Sequence, residues 1–64
     1  MTFGEKLKAE REKRGLTQTE VAKSLGLVQS TIAKYELEIK EPSKGSLVAL
    51  AKFYGVSLDY LTAE

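Results

Sequence analysis

Stop and start signals for helices constrain this chain more than anything else in its sequence. Gly15, Gly26 and Gly55 each follow a stretch of helically spaced apolar residues. A glycine in that place closes a helix by entering the left-handed region without steric cost. Hydroxyl residues stand at the matching starts. "TFGE" (Thr2 to Glu5) and "TQTE" (Thr17 to Glu20) both have the form of a capping box. In that motif the hydroxyl is the N-cap and the Glu three residues on reaches back to its amide. Ser43, after Pro42, and Ser57, with Asp59 in the following turn, supply two more N-caps. No alternating run rich in Val, Ile or Thr occurs, so no strand is expected.

These signals predict five helices, at about 3–14, 18–25, 29–37, 44–54 and 58–63. The expected fold class is all-α, a compact five-helix bundle in one domain over residues 1–64. Its core would be Phe3, Leu7, Leu16, Val21, Ala22, Leu25, Leu27, Ile32, Tyr35, Leu47, Leu50, Ala51, Val56, Leu58 and Leu61. The margin of such a fold is thin, because a domain this small hides only about 60% of its unfolded surface.

Composition removes several function classes. There is no Cys and no His, which rules out disulfides, the usual zinc sites and the commonest general base. The carboxylates are scattered along solvated faces, so no catalytic residue, metal or cofactor is expected. The start, "MTFGEKLKAEREKRG", lacks the apolar segment of a signal peptide. The longest apolar run, residues 47–51, is far too short for a bilayer. A cytoplasmic protein without membrane partners is the expectation. Net charge is only +1, but it is unevenly spread. Residues 1–34 carry seven basic and four acidic groups, and residues 35–64 three basic and five acidic. That asymmetry points mildly to a charged partner, and an evenly solvated surface explains it equally well.

The second and third helices are joined by "LGLV", a short connection with one glycine. This is helix-turn-helix spacing, although any compact helical hairpin would share it. Ala22 in the first of the pair lets the two axes come close. "LVQSTIAKYE" (Leu27 to Glu36) is lopsided as a helix. Ile32 and Tyr35 face one side, while Gln29, Ser30, Ala33 and Lys34 form a slim polar face on the other.

The stretch "GLTQTEVAKSLGLVQSTIAKYE" resembles the helix-turn-helix of the Cro and phage-repressor family of bacterial and phage transcription regulators. The likeness continues through "EPSKGSLVALAKFYGVSLDYL" and spans Phe3 to Leu61. It implies the family's five-helix, lambda-repressor-like fold, with the helix-turn-helix over about 17–36, and its activity, sequence-specific binding of double-stranded DNA. It also implies a homodimer on an operator with two-fold symmetry. Gln29, Ser30, Ala33 and Lys34 are then the expected base-reading residues. A slim face fits the major groove, Gln pairs bidentately with adenine, Lys donates to guanine, and Ala meets a thymine methyl. Thr17, Gln18, Lys40, Ser43 and Lys44 are the expected phosphate contacts. Arg11 and Glu36 match a family ion pair tying the first helix to the third.

Two departures stand out. Val28 occupies a position where the family often has a capping Ser or Thr, and Glu38 one where it usually has Gly. The expected function is a DNA-binding regulator, a repressor in the first instance. A helical protein–protein interaction module that has lost DNA binding is the alternative, and so is an antitoxin-type autoregulator. An interaction module would place a large apolar patch where this chain has its slim polar face.

Overall fold

The computed structural model describes residues 1–63. Five helices follow one another: α1 (Phe3–Lys13), α2 (Gln18–Leu25), α3 (Gln29–Glu36), α4 (Lys44–Tyr54) and α5 (Leu58–Thr62). No strand occurs among the described residues. The expected helices are all present. The first, third and fifth each end one residue earlier than the apolar spacing suggested, with Arg14, Leu37 and Ala63 as their C-caps.

Both capping boxes form. The Thr2 hydroxyl accepts from the Glu5 amide at 3.2 Å, and the Thr2 amide donates to the Glu5 carboxylate at 2.8 Å. The corresponding distances for Thr17 and Glu20 are 3.1 and 2.9 Å. In both boxes the bonds to the N-cap residue hold the Glu carboxyl below the usual carboxylate range. Ser43 and Ser57 cap α4 and α5 through the amides of Ser46 and Tyr60. The first four helices close with one device. A residue in the left-handed region is followed by an amide that reaches back five residues. Leu16 donates to the Arg11 carbonyl, Leu27 to Ala22, Ile39 to Lys34 and Val56 to Ala51, at 2.8 to 3.2 Å. The left-handed residue is Gly15, Gly26 or Gly55 in three of them. In the fourth it is Glu38, with φ at 59°.

The core is Leu7, Val21, Ala22, Ile32, Tyr35, Leu50, Ala51, Tyr54 and Leu61. Phe3, Leu16, Leu25, Leu27, Leu47 and Val56 pack on it half-buried. Leu58 was expected inside but remains 38% exposed. At five residues, α5 is little more than one turn; it seats Leu61 fully and leaves Leu58 at the rim. Tyr54, absent from the expected core, is buried. The Arg14 guanidinium lies over its ring, with the centroid at 5.2 Å, and donates to the Tyr54 carbonyl.

Charged residues of α1 and its C-cap close the ends of the last two helices. Lys6 is nearly buried, and its ammonium donates to the carbonyls of Tyr60 and Ala63 at 2.7 Å each. Arg14 serves α4 in the same way through the Tyr54 carbonyl, and also donates to the Glu10 carboxylate at 2.8 Å. A cation at a helix C-terminus satisfies free carbonyls and meets the favourable end of the dipole. Gly4, on the first turn of α1, has a different task. A Cβ there would overlap the Glu36 carbonyl oxygen and lie 2.8 Å from the Glu36 carbonyl carbon. The end of α3 therefore rests directly on the backbone of α1.

Candidate nucleic-acid interface

The α2–α3 pair is held from inside by Val21, Ala22, Ile32 and Tyr35, all buried. Ala22 is 1% exposed, and its small side chain lets the axes approach. With the inner side of α3 committed to the core, Gln29, Ser30 and Lys34 are left exposed and Ala33 half-exposed. The four residues expected to read bases thus share the uncovered side of one helix. The N-cap of α3 is Val28, which makes no side-chain cap bond. Its side chain is 63% exposed next to Gln29, so the leading end of the helix shows an apolar group and an amide side by side.

Behind this face lies a hydrogen-bonded chain. Arg11 Nε donates to Glu36 Oε2 at 2.7 Å and Arg11 Nη2 to Glu36 Oε1 at 3.0 Å. The guanidinium also donates to the Leu16 carbonyl at 2.9 Å through Nη1. Side-chain exposure is 12% for Arg11 and 4% for Glu36, so this fork-to-fork pair is largely dry. The bond to Glu36 raises the Arg11 pKa further, against the opposing effect of burial. Gln18 Nε2 donates to Glu36 Oε1 at 3.1 Å. Gln29 Nε2 in turn donates to Gln18 Oε1 at 2.7 Å. Four side chains from three helices are thereby linked from the interior to the exposed face. Gln18 was expected only at a phosphate. The sequence offered no signal for its two side-chain partners, which lie eleven and eighteen residues away.

The other expected contacts are dispersed. Thr17 sits at the start of α2 with its oxygen accepting the cap bond, and its hydroxyl hydrogen remains for an outside acceptor. Ser43 and Lys44 lie at the start of α4; Ser43 Oγ accepts the Ser46 amide and Lys44 is exposed. Lys40 is exposed and lines a groove of about 350 Å³ with Phe3, Glu38, Glu41, Pro42, Leu47 and Thr62. Two carboxylates thus share its surroundings, a feature its loop position did not disclose. Among the described residues no group of His, Cys, Asp or Glu is placed to hold a metal ion. No helix there is long and apolar enough to cross a membrane.

A family model described as helix-turn-helix matches residues 7–61. The HTH-type transcriptional regulator ImmR of Bacillus subtilis is 38% identical over 64 residues, covering all of this chain and 50% of that protein. The immunity repressor protein of Bacillus phage phi105 is 34% identical, with 100% of this chain and 44% of the relative covered. The chain thus spans about half the length of the curated relatives it matches. Among solved structures, the P22 c2 repressor protein in complex with synthetic operator 9T superposes with a TM-score of 0.94. The two share 32% sequence identity over 98% of this chain and 96% of that one. Fold, motif and relatives agree, and the chain belongs to the Cro and phage-repressor family of helix-turn-helix proteins.

Proposed function

We propose that this chain is the DNA-binding unit of a transcription repressor, without enzymatic activity, that reads operator DNA in the major groove with α3. The observation that carries this reading is the uncovered side of α3, where Gln29, Ser30, Ala33 and Lys34 stand together with no large apolar side chain among them. Gln29 meets adenine, Lys34 reaches guanine, Ser30 takes a base edge or a phosphate, and Ala33 touches a thymine methyl. Thr17 and Gln18 at the start of α2 and Ser43 and Lys44 at the start of α4 hold phosphates, where free helical amides favour anions. Lys40 adds a flexible cation beside them.

A single copy with net charge +1 neutralises few phosphates and binds weakly. Two copies on half-sites about 34 Å apart give useful affinity, so the operator has two-fold symmetry and the bound form is a homodimer. Leu37 and Ile39 are each 70% exposed and supply apolar surface for the contact between copies.

Selection of bound sites from random duplex DNA tests the reading; it expects a symmetric consensus. On that consensus, Gln29→Ala costs about 1–3 kcal/mol and relaxes preference at one base pair per half-site. Lys40→Ala weakens good and poor sequences alike and flattens the salt slope by about one unit per site. Equal weakening of all sequences by Gln29→Ala would overturn the assignment of the face.

A further inference from the structure

Four of the five helices begin on a hydroxyl: Thr2, Thr17, Ser43 and Ser57 each accept the amide three residues on. The exception is α3, which begins on Val28, whose isopropyl group makes no cap bond. The backbone there is that of an ordinary N-cap, extended at φ −102° and ψ 156°. The Val28 carbonyl accepts the Thr31 amide at 3.0 Å as the helix starts. A serine would fit this position and would stabilise the helix. Packing does not account for the valine either. It is 63% exposed and is neither in the core nor among the residues packed on it. Of the large apolar side chains in residues 17–36, it alone is exposed. A residue that breaks a local rule and gains nothing within the fold marks a place where function decides the choice.

Val28 stands beside Gln29, at the end of α3 whose residues contact base edges in a helix-turn-helix. In the major groove adenine, guanine and cytosine present nitrogen and oxygen groups, and thymine adds an apolar one, its C5-methyl. A hydroxyl or an amide at this position could also bond to the O4 of thymine or the N4 of cytosine. An isopropyl group has no donor or acceptor, so it takes the methyl and is blind to those atoms. 5-Methylcytosine carries the same methyl on the same carbon, and uracil lacks it. We infer that Val28 is a specificity-determining residue that reads the C5-methyl group of a pyrimidine. At one position of each half-site this chain then prefers thymine to uracil and, equally, 5-methylcytosine to cytosine. The inference rests on the reading of α3 as the base-reading helix. It goes beyond that reading by adding a further residue and a response to base methylation.

Removing the apolar group from either side of the contact tests it. At each pyrimidine of the selected operator, binding is measured with thymine, uracil, cytosine and 5-methylcytosine in turn, for wild type, Val28→Ser and Gln29→Ala. Val28→Ser supplies the missing cap, so it stays folded and melts about 4–8 °C higher. In wild type, one pyrimidine of each half-site is expected to bind about fourfold more tightly as thymine than as uracil. It gains the same factor as 5-methylcytosine over cytosine, the worth of one buried methyl-sized group. In Val28→Ser both ratios fall to about one at that position, while the preference at the base pair read by Gln29 is kept. The thymine that Ala33 touches keeps its own ratio in this variant, so the two methyl contacts are told apart. Methyl ratios that are the same in Val28→Ser and wild type at every pyrimidine would overturn the inference. If Gln29→Ala relaxes preference at one base pair in that case, the reading of α3 stands without it. Equal weakening of all sequences by Gln29→Ala would overturn that reading and the inference with it.

Discussion

Gly4→Ala is the most demanding test of how α1 and α3 are joined. On an exposed helix this change is favourable, since alanine gains roughly 0.5–1 kcal/mol over glycine. Here the new Cβ would collide with the Glu36 carbonyl oxygen, and it would lie 2.8 Å from that carbonyl carbon and 2.9 Å from Glu38 Cγ. The first two atoms are backbone at the end of α3 and cannot swing away as a side-chain tip could. α1 and α3 must separate, at a cost of about 1–3 kcal/mol for overpacking in a tight core. The shift also acts on the Arg11–Glu36 pair, because the residue pushed is Glu36 itself. The net expectation is a loss of about 2 kcal/mol. A domain of this length has a total stability of only about 3–10 kcal/mol. At roughly 4–8 °C per kcal/mol, the melting temperature falls by about 8–16 °C. Thermal unfolding followed by far-ultraviolet circular dichroism measures it. An unchanged or higher melting temperature, the ordinary result for an exposed helical glycine, would refute the close approach of the two backbones.

Glu38→Gly makes the end of α3 like the ends of α1, α2 and α4. It removes a left-handed penalty of about 1–2 kcal/mol, offset by glycine's greater freedom when unfolded, and raises stability by about 0.5–1 kcal/mol in chemical denaturation. A double-mutant cycle on Arg11→Met and Glu36→Gln yields a coupling above about 1 kcal/mol, because each single change strands a largely buried charge; a value near zero would reduce the pair to surface charges. In acid, the bond from Arg14 keeps the Glu10 carboxyl below the usual carboxylate range, with burial opposing and Lys13 assisting. Its stabilisation is full above about pH 4.3, the unfolded value, and is lost as pH falls through the lower folded value, so Glu10→Gln flattens the acid limb of a stability profile. In alkali, burial pushes the Tyr54 phenol up to about 12, with the Glu36 charge adding to it. The stabilisation is full below about pH 10 and lost as pH rises from there toward that folded value, and absorbance near 295 nm, a wavelength typical of tyrosinate, should show one of the three tyrosines titrating late.

Helix number, helix order and most boundaries were legible in the sequence because they are set locally. A hydroxyl, a Glu three residues later and a closing glycine act within one turn, and none of them needs the rest of the chain. The uncovered face of α3 was legible for the same reason: Ile32 and Tyr35 are the large apolar groups of that helix, and burying them leaves Gln29, Ser30, Ala33 and Lys34 outside. What the local pattern could not decide was anything that depends on a partner far along the chain. Tyr54 is buried because Arg14, forty residues earlier, lies across its ring. Lys6 is buried because the last carbonyls of α5 need a donor, fifty-four and fifty-seven residues away. Leu58, apolar and well placed by periodicity, stays at the rim because α5 is too short to seat more than Leu61 deeply. Glu38 takes a conformation suited to glycine because the end of α3 must turn beside Gly4. The hydrogen-bonded run that ends at Gln29 is the furthest removed from any local rule. It follows from an acceptor on α3 paired with a guanidinium on α1 and passed through an amide on α2, an order that exists only once the three helices are packed.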